Sequence, residues 1–296
     1  MVPNQSENKA VVAGPKPSDR GVSSSPVSLA AAVDDDLASG RLDLPLLPGV
    51  AQEVMAASTD DGAKKLADIV RRDQAMAAHL LRMANSPLYR GTDPIVSVQH
   101  AVSRLGTGRI RELAMMVACQ GRRFEAPGFE TEVRSSFQHS LATALYAQEI
   151  ARAKRSNVEE AFLSGLLHDM GRPLLLQKCV DIEARLHLGA SRAEMLAVVD
   201  ARHTEVGAKL AAHWALPERL VATVRDHHAA DGTTQDAGVY VVMLADTLAH
   251  FALEGVPDEA AVGAHVSVGA LNLYPDVVSG LVARASVVKG TVEALG

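Results

Sequence analysis

Apolar residues along most of this chain recur every three or four positions, and that spacing leaves one fold class open. Val50, Val54 and Met55 open one amphipathic run, and Leu66, Ile69 and Val70 mark a second. Met76, Leu80, Leu81 and Met83 mark a third, which stops near Asn85-Ser86-Pro87 because proline cannot continue a helix. Ile95 to Leu105 carries a fourth, closed by Gly106, and Ile110 to Cys119 a fifth. The two-residue alternation of half-buried strands is almost absent, and the helix formers Ala, Leu, Glu and Arg dominate. The reading is an all-α chain.

Pro, Gly and Ser divide that chain into blocks. Residues 1–26 are rich in Ser, Pro, Gly and Lys and are predicted to be a disordered tail that can be deleted without unfolding the rest. An N-terminal helical subdomain is predicted over 27–125. It begins with a short helix from Val27 to Leu42, whose acidic run Asp34-Asp35-Asp36 is expected on a solvated side, and continues through the extended Leu44-Pro45-Leu46-Leu47-Pro48. Pro127 and Gly128 mark a joint, and a second helical block follows over 126–238, ending in the loop Asp231 to Gly238. The last block, 239–296, reads as apolar helices with no chemistry of their own after Asp246. No internal repeat is visible.

Composition removes several function classes. With 29 Lys+Arg against 35 Asp+Glu the chain has a formal charge of −6, without the basic footprint of a general nucleic-acid binder. A helix-turn-helix reading of Asp73 to Arg111 has only Arg104, Arg109 and Arg111 to offer a phosphate backbone. Asp73, Asn85 and Ser86 read more simply as helix caps and ties. Glu149, Arg152 and Lys154-Arg155 read as a solvated helix face. Aromatics are 3% of the chain, too few for a stacking platform. Two cysteines, Cys119 and Cys179, cannot build a disulfide framework or a four-cysteine zinc site. No uninterrupted apolar run approaches a membrane span, and no secretory signal is visible, so a cytoplasmic location is expected.

The chemistry lies in the histidines, which fall in an ordered series. His139 opens a helical run, and His168-Asp169 closes the apolar run Ala161 to Leu167. His203 sits in Arg202-His203-Thr204-Glu205, His227-His228 ends a helix that starts near Pro217, and Asp246 interrupts Val241 to Ala249. A single histidine on an apolar face is usually a hydrogen-bonded core residue. A buried aspartate without a partner is costly, however, and imidazole with carboxylate suits Zn, Fe or Mn.

This order resembles that of the HD superfamily of metal-dependent phosphohydrolases, and its surroundings resemble the HDOD branch, the HD-related output domain. The resemblance spans roughly residues 40 to 250. It rests on Leu44-Pro45-Leu46-Leu47-Pro48, Arg72-Asp73, Ala84-Asn85-Ser86, Leu105-Gly106, His139-Ser140, Gly165-Leu166-Leu167-His168-Asp169-Met170-Gly171, His203-Thr204-Glu205-Val206-Gly207, Trp214-Ala215-Leu216-Pro217 and His227-His228. It implies an HD-like helical bundle with an N-terminal helical subdomain and a role in bacterial signalling, commonly without enzymatic activity. The related HD-GYP phosphodiesterases are similar to this chain at His139, His168, Asp169, His203, His227, His228 and Asp246. That similarity implies a centre of one or two divalent ions, Fe, Mn or Zn, with Asp169 also a catalytic candidate.

Three departures bear on turnover. Where those enzymes carry Lys after His-Asp-x-Gly, this chain has Arg172, which keeps the charge but cannot deliver a proton near neutrality. Ala229 replaces a Glu after the histidine pair, and no Gly-Tyr-Pro follows Asp231-Gly232. The expectation is a regulatory module with a degenerate HD pocket. Its partners would be signalling proteins of two-component or cyclic-dinucleotide systems, with a nucleotide as ligand and no nucleic acid or membrane. The alternative is a metal-dependent phosphohydrolase acting on a cyclic dinucleotide such as cyclic di-GMP, with Asp169 and Arg172 in the catalytic roles.

Overall fold

A computed structural model of the 296-residue chain describes Met1 and residues 28–57, 62–89, 91–121, 124–229 and 236–295. The tail expected over residues 1–26 lies outside the described residues apart from Met1. Among the described residues there are sixteen helices and no strand, the all-α fold expected.

The N-terminal helices are α1 (Leu29–Ala38), α2 (Gly49–Ala56), α3 (Gly62–Arg71), α4 (Gln74–Ala84), α5 (Val98–Leu105) and α6 (Thr107–Gly121). Asp73 caps α4 by accepting from the Met76 N–H at 3.0 Å, and Ser97 caps α5. The fourth periodic run was expected to start at Ile95, yet α5 starts three residues later. Asn85, the C-cap of α4, holds Ile95 from both sides: its Oδ1 accepts from the Ile95 N–H at 2.8 Å and its Nδ2 donates to the Ile95 carbonyl at 2.8 Å. With both backbone groups bound by a side chain, Ile95 stays extended and buries its side chain from outside the helix.

The acidic run of α1 departs from expectation. Asp36 is buried, not solvated, because α1 lies across α9 (Gly171–Leu186) and α10 (Arg192–His213). There Asp36 accepts from Arg41 Nε at 2.9 Å and Arg185 Nη2 at 3.1 Å, and Asp34 pairs with Arg202. The same contact carries α1 onto the second helical block. Trp214, at the end of α10, donates through Nε1 to the Pro45 carbonyl at 2.7 Å and pins the Pro-rich lead-in.

That second block is built on α7 (Glu130–Lys154), which packs mainly on α8 (Val158–Leu167) and α12 (Ala237–Glu254). The other major pairings are α9 with α10, and α10 with α11 (Glu218–Asp226). By length and composition α12 is long and apolar enough to cross a membrane, but half of it is buried here, against α7, α8 and α16. The short helices α13 (Glu259–Gly263), α14 (Val266–Ala270) and α15 (Pro275–Val282) lead to α16 (Ala285–Leu295), which reaches back onto α4.

Of the residues expected on a solvated face, Arg152, Lys154 and Arg155 are exposed, but Glu149 is not. Glu149 is 8% exposed and pairs with Arg152 and with Arg284, since α16 covers this turn of α7. Of the arginines considered for DNA contact, Arg109 pairs with Glu112, and Arg111 donates to the Ala57 carbonyl at 2.7 Å. Both are mostly covered, which leaves them poorly placed for a phosphate backbone.

Candidate metal centre

Two glycines bring the His168-Asp169 pair into the bundle. A Cβ on Gly165 would lie 2.8 Å from Ala144 Cα, so α8 crosses α7 where no side chain intervenes. A Cβ on Gly171 would lie 2.0 Å from the His203 carbonyl oxygen, so α9 starts directly against the α10 backbone. Between these crossings the chain turns through His168, Asp169 and Met170. His139 faces the turn from α7, His203 from α10, His227-His228 from the end of α11, and Asp246 from α12.

All seven residues singled out as ligands converge. His139 Nε2 is 2.7 Å from Asp246 Oδ1, and His168 Nε2 is 3.8 Å from the same oxygen. The two oxygens of Asp169 face opposite ways: Oδ2 is 3.7 Å from His168 Nε2, while Oδ1 is 3.2 Å from His203 Nε2 and 3.6 Å from His227 Nε2. His228 Nε2 stands 3.1 Å from His203 Nε2. Donors that share an ion at about 2 Å each lie about 3–4 Å apart, which is this spacing. The atoms fall into an inner group of Asp169, His203, His227 and His228, and two outer groups that share His139: one with His168 and Asp169, the other with Asp246 and His250, bridged where His168 lies 3.8 Å from Asp246.

Hydrogen bonding sets the imidazole tautomers. His168 Nδ1 lies 2.8 Å from the Gly165 carbonyl, His203 Nδ1 2.9 Å from that of Asp200, and His227 Nδ1 2.7 Å from that of Val224. Each carbonyl is three residues back on the same stretch of chain. A carbonyl only accepts, so each Nδ1 carries the proton and each Nε2 presents a lone pair to the centre. That is the outer-sphere pattern of metal-ligating histidine. His168 Nε2, His227 Nε2 and Asp169 Oδ1 are buried without a well-formed hydrogen bond among the described residues. Three acceptor atoms aimed at one another in a buried space suit a cation between them.

Charge follows the same logic. Burial pushes the His168 pKa down to about 4, and burial with the neighbouring His227 and His203 pushes His228 down to about 4 as well. His203 is lowered by burial too. Burial works against the Asp169 carboxylate, yet His168, His227 and His203 hold it well below the usual range. Burial also works against Asp246, which the hydrogen bond from His139 pulls down. His139 is raised: burial opposes its charge, and Asp246 outweighs burial. Neutral imidazoles and ionised carboxylates are the protonation states a metal needs, and an ion bound between His139 and Asp246 would take the place of the proton they share. With nitrogen and oxygen donors and no thiolate, the set fits Fe, Mn or Zn. Cys119 and Cys179 are buried, and burial pushes both thiols up to about 12.

The centre opens to a pocket of about 290 Å³ lined by His139, Asp169, Arg172, His228 and Asp246, with Ser135 and Ser136 one turn before His139. Among the described residues, Arg172 is the one Lys or Arg on that wall. It is paired with Asp200 on α10, and its Nε lies 3.8 Å from Asp169 Oδ2. The rim also carries Glu132, His250 and Glu254. The last two come from the stretch after Asp246, where no chemistry was expected, and they place polar groups at the pocket. The signal was in the spacing, since His250 and Glu254 follow Asp246 at one and two helical turns on the same face.

An all-helical bundle with an HD-type histidine and aspartate centre defines the class. The sequence model of the HDOD domain matches residues 44–230, and the chain belongs to that family. Among solved structures it is similar to a Shewanella amazonensis SB2B protein provisionally named a metal-dependent phosphohydrolase. That pair shows 20% identity over 89% of this chain and 98% of the other, with a TM-score of 0.70. It is similar too to an HDOD domain protein of unknown function from Geobacter sulfurreducens, at 24% identity, 92% and 98% coverage and a TM-score of 0.67. A Marinobacter aquaeolei VT8 protein provisionally named for signal transduction aligns at 23% identity, 91% and 67% coverage and a TM-score of 0.61. At these identities the likeness is one of fold. An uncharacterized protein of Treponema pallidum (strain Nichols) is 26% identical over 197 residues, which is 63% of this chain and 38% of that relative's length.

Proposed function

We propose that this chain is a regulatory module of bacterial signal transduction, built around a divalent-metal centre and acting through contacts with partner proteins. The observation that carries the metal reading is the set of three Nδ1-to-carbonyl bonds, which leaves three Nε2 lone pairs facing Asp169. Two positions share Asp169. The inner one takes His203, His227 and His228, and the outer one takes His139, His168 and Asp246. An ion there would supply Lewis acidity and a fixed positive charge for a phosphate group. Asp169, Asp246 and Glu254 bring carboxylates to the pocket, while Glu132 is paired with Arg192, so an anionic ligand such as a nucleotide would need the ions in place before it binds. The signalling proteins, two-component or cyclic-dinucleotide, belong to the same proposal.

The placement of Arg172 supports regulation over turnover. Its guanidinium is engaged by Asp200 and permanently charged, so it can hold a phosphate but cannot protonate a leaving alkoxide. The alternative, a cyclic-dinucleotide phosphodiesterase, gains support from the completeness of the seven-residue set. One experiment separates the two: elemental analysis of the purified chain, then phosphodiesterase assay with Mn or Fe added. Bound metal with at most marginal hydrolysis is expected. Robust hydrolysis that Asp169→Ala abolishes would establish the enzyme instead, and turnover appearing only in Arg172→Lys would mark a site disabled at one position.

A further inference from the structure

His250 lies one turn beyond Asp246 on α12, outside the seven-residue set. Its Nε2 is 3.7 Å from Asp246 Oδ1, and its ring centroid is 4.4 Å from that of His139. The donor atoms of His139, Asp246 and His250 all lie within 4.8 Å of one another. On its other side, His250 Nδ1 stands 3.2 Å from Glu254 Oε2, one further turn along the helix. A carboxylate can only accept, so Glu254 favours the tautomer with its proton on Nδ1, which leaves Nε2 as a lone pair toward Asp246 and His139. In His168, His203 and His227 a carbonyl hydrogen-bonded to Nδ1 plays the part that the nearby carboxylate would play for His250. Unlike them, His250 is nearly half exposed and stands on the wall of the pocket.

We infer that His250, oriented by Glu254, is a further ligand of the outer metal position and closes that position on the side facing the pocket. This rests on the metal reading above. Four protein donors leave two places on a six-coordinate ion, and five leave one. A catalytic ion keeps a place open for substrate, whereas a structural ion is filled by protein. His250 therefore moves the outer ion toward the filled condition and leaves an incoming phosphate one place instead of two.

The test uses the full chain, stripped with a chelator and titrated with cobalt(II), whose visible bands report coordination number. Wild type should take up two ions. His250→Ala and His250→Gln should weaken the outer step tenfold or more and change its band intensity. His228→Ala serves as the counterpart that weakens the inner step. Inorganic phosphate should bind cobalt-loaded His250→Ala several-fold more tightly than loaded wild type. Two ions in wild type with an unchanged titration and spectrum in both His250 variants would overturn the assignment of His250 and leave the metal centre standing. Unchanged phosphate affinity would overturn the closure. A wild type that binds no ion would overturn the metal reading and this inference together. Because His250 is so exposed, its replacement leaves the packed core intact, and equal melting of the stripped proteins checks that.

Discussion

Gly171 shows how strongly one residue governs the centre. It lies two residues after Asp169, and a methyl group in place of its hydrogen would overlap the His203 carbonyl and crowd the Gly207 N–H at 2.8 Å. Both neighbours are backbone, so neither can swing aside as a side chain would, and relief requires α9 to move away from α10. Gly171→Ala should therefore destabilise the fold by at least about 2–3 kcal/mol, at the upper end of overpacking costs, and separate His168-Asp169 from His203. Urea unfolding measures the first effect and loss of metal uptake the second. A stability within about 0.5 kcal/mol of wild type would mean the helices do not touch there. At this scale the sequence was legible where a polar group interrupts an apolar run: His168-Asp169 and Asp246 stand out for that reason. His250 did not, because one histidine near the end of an apolar helix looks like a surface residue until its i−4 neighbour is known to face a pocket. Arg172 was legible as a cation that cannot release a proton, but its engagement by Asp200 spans 28 residues and leaves no local mark.

Helix periods and caps were readable because they are local, and the five N-terminal runs correspond to α2 through α6. The elements went astray where tertiary contacts decide. Ile95 fits a helical period but is held extended by Asn85, and Asp36 sits in an acidic run but is drawn inward by Arg41 and Arg185. Asn85→Ala tests the first case. It removes the side-chain amide that answers both backbone groups of Ile95, together with the bond to the Leu81 carbonyl. Partly buried backbone groups left unpaired cost about 1–3 kcal/mol, so a loss of about 2 kcal/mol is expected, with Ile95 leaving its buried position. Hydrogen exchange should then show the Ile95 amide opening well before those of α4. Protection as strong as in wild type would show that packing alone holds Ile95.

Across the whole molecule, one partly buried polar network, bridged between Gln148 and Glu149 by Arg152, joins three regions whose proximity no local pattern announced. Arg109 and Glu112 come from α6, Gln148 and Glu149 from α7, Arg284 from the turn before α16, and Tyr89 from the loop after α4. The network explains why Glu149 is covered although its neighbours on that face are exposed, and it ties the C-terminal helices to the N-terminal subdomain. Glu112, 2% exposed, is its titratable centre. Burial raises its carboxyl to about 7 even though Arg109 is beside it. A carboxyl with a folded pKa above its unfolded value binds its proton more tightly in the folded state. Its contribution to stability is thus full below about pH 4.5 and is lost as pH rises through 7. The shift corresponds to roughly 3 kcal/mol at most. His168 acts in the opposite sense, since its lowered value costs stability as pH falls from 6.5 toward 4. The two partly cancel in wild type, so its overall pH profile does not separate them. Glu112→Gln does, because His168 is unchanged in both proteins and drops out of the comparison. Measured by urea unfolding of chelator-treated protein, Glu112→Gln should lose stability relative to wild type at pH 5, where wild type keeps the protonated carboxyl. At pH 8 its deficit should shrink by about 2 kcal/mol or reverse. A deficit that grows instead between pH 5 and pH 8 would mean that Glu112 is held as a carboxylate by Arg109, and that the network is an ion pair throughout.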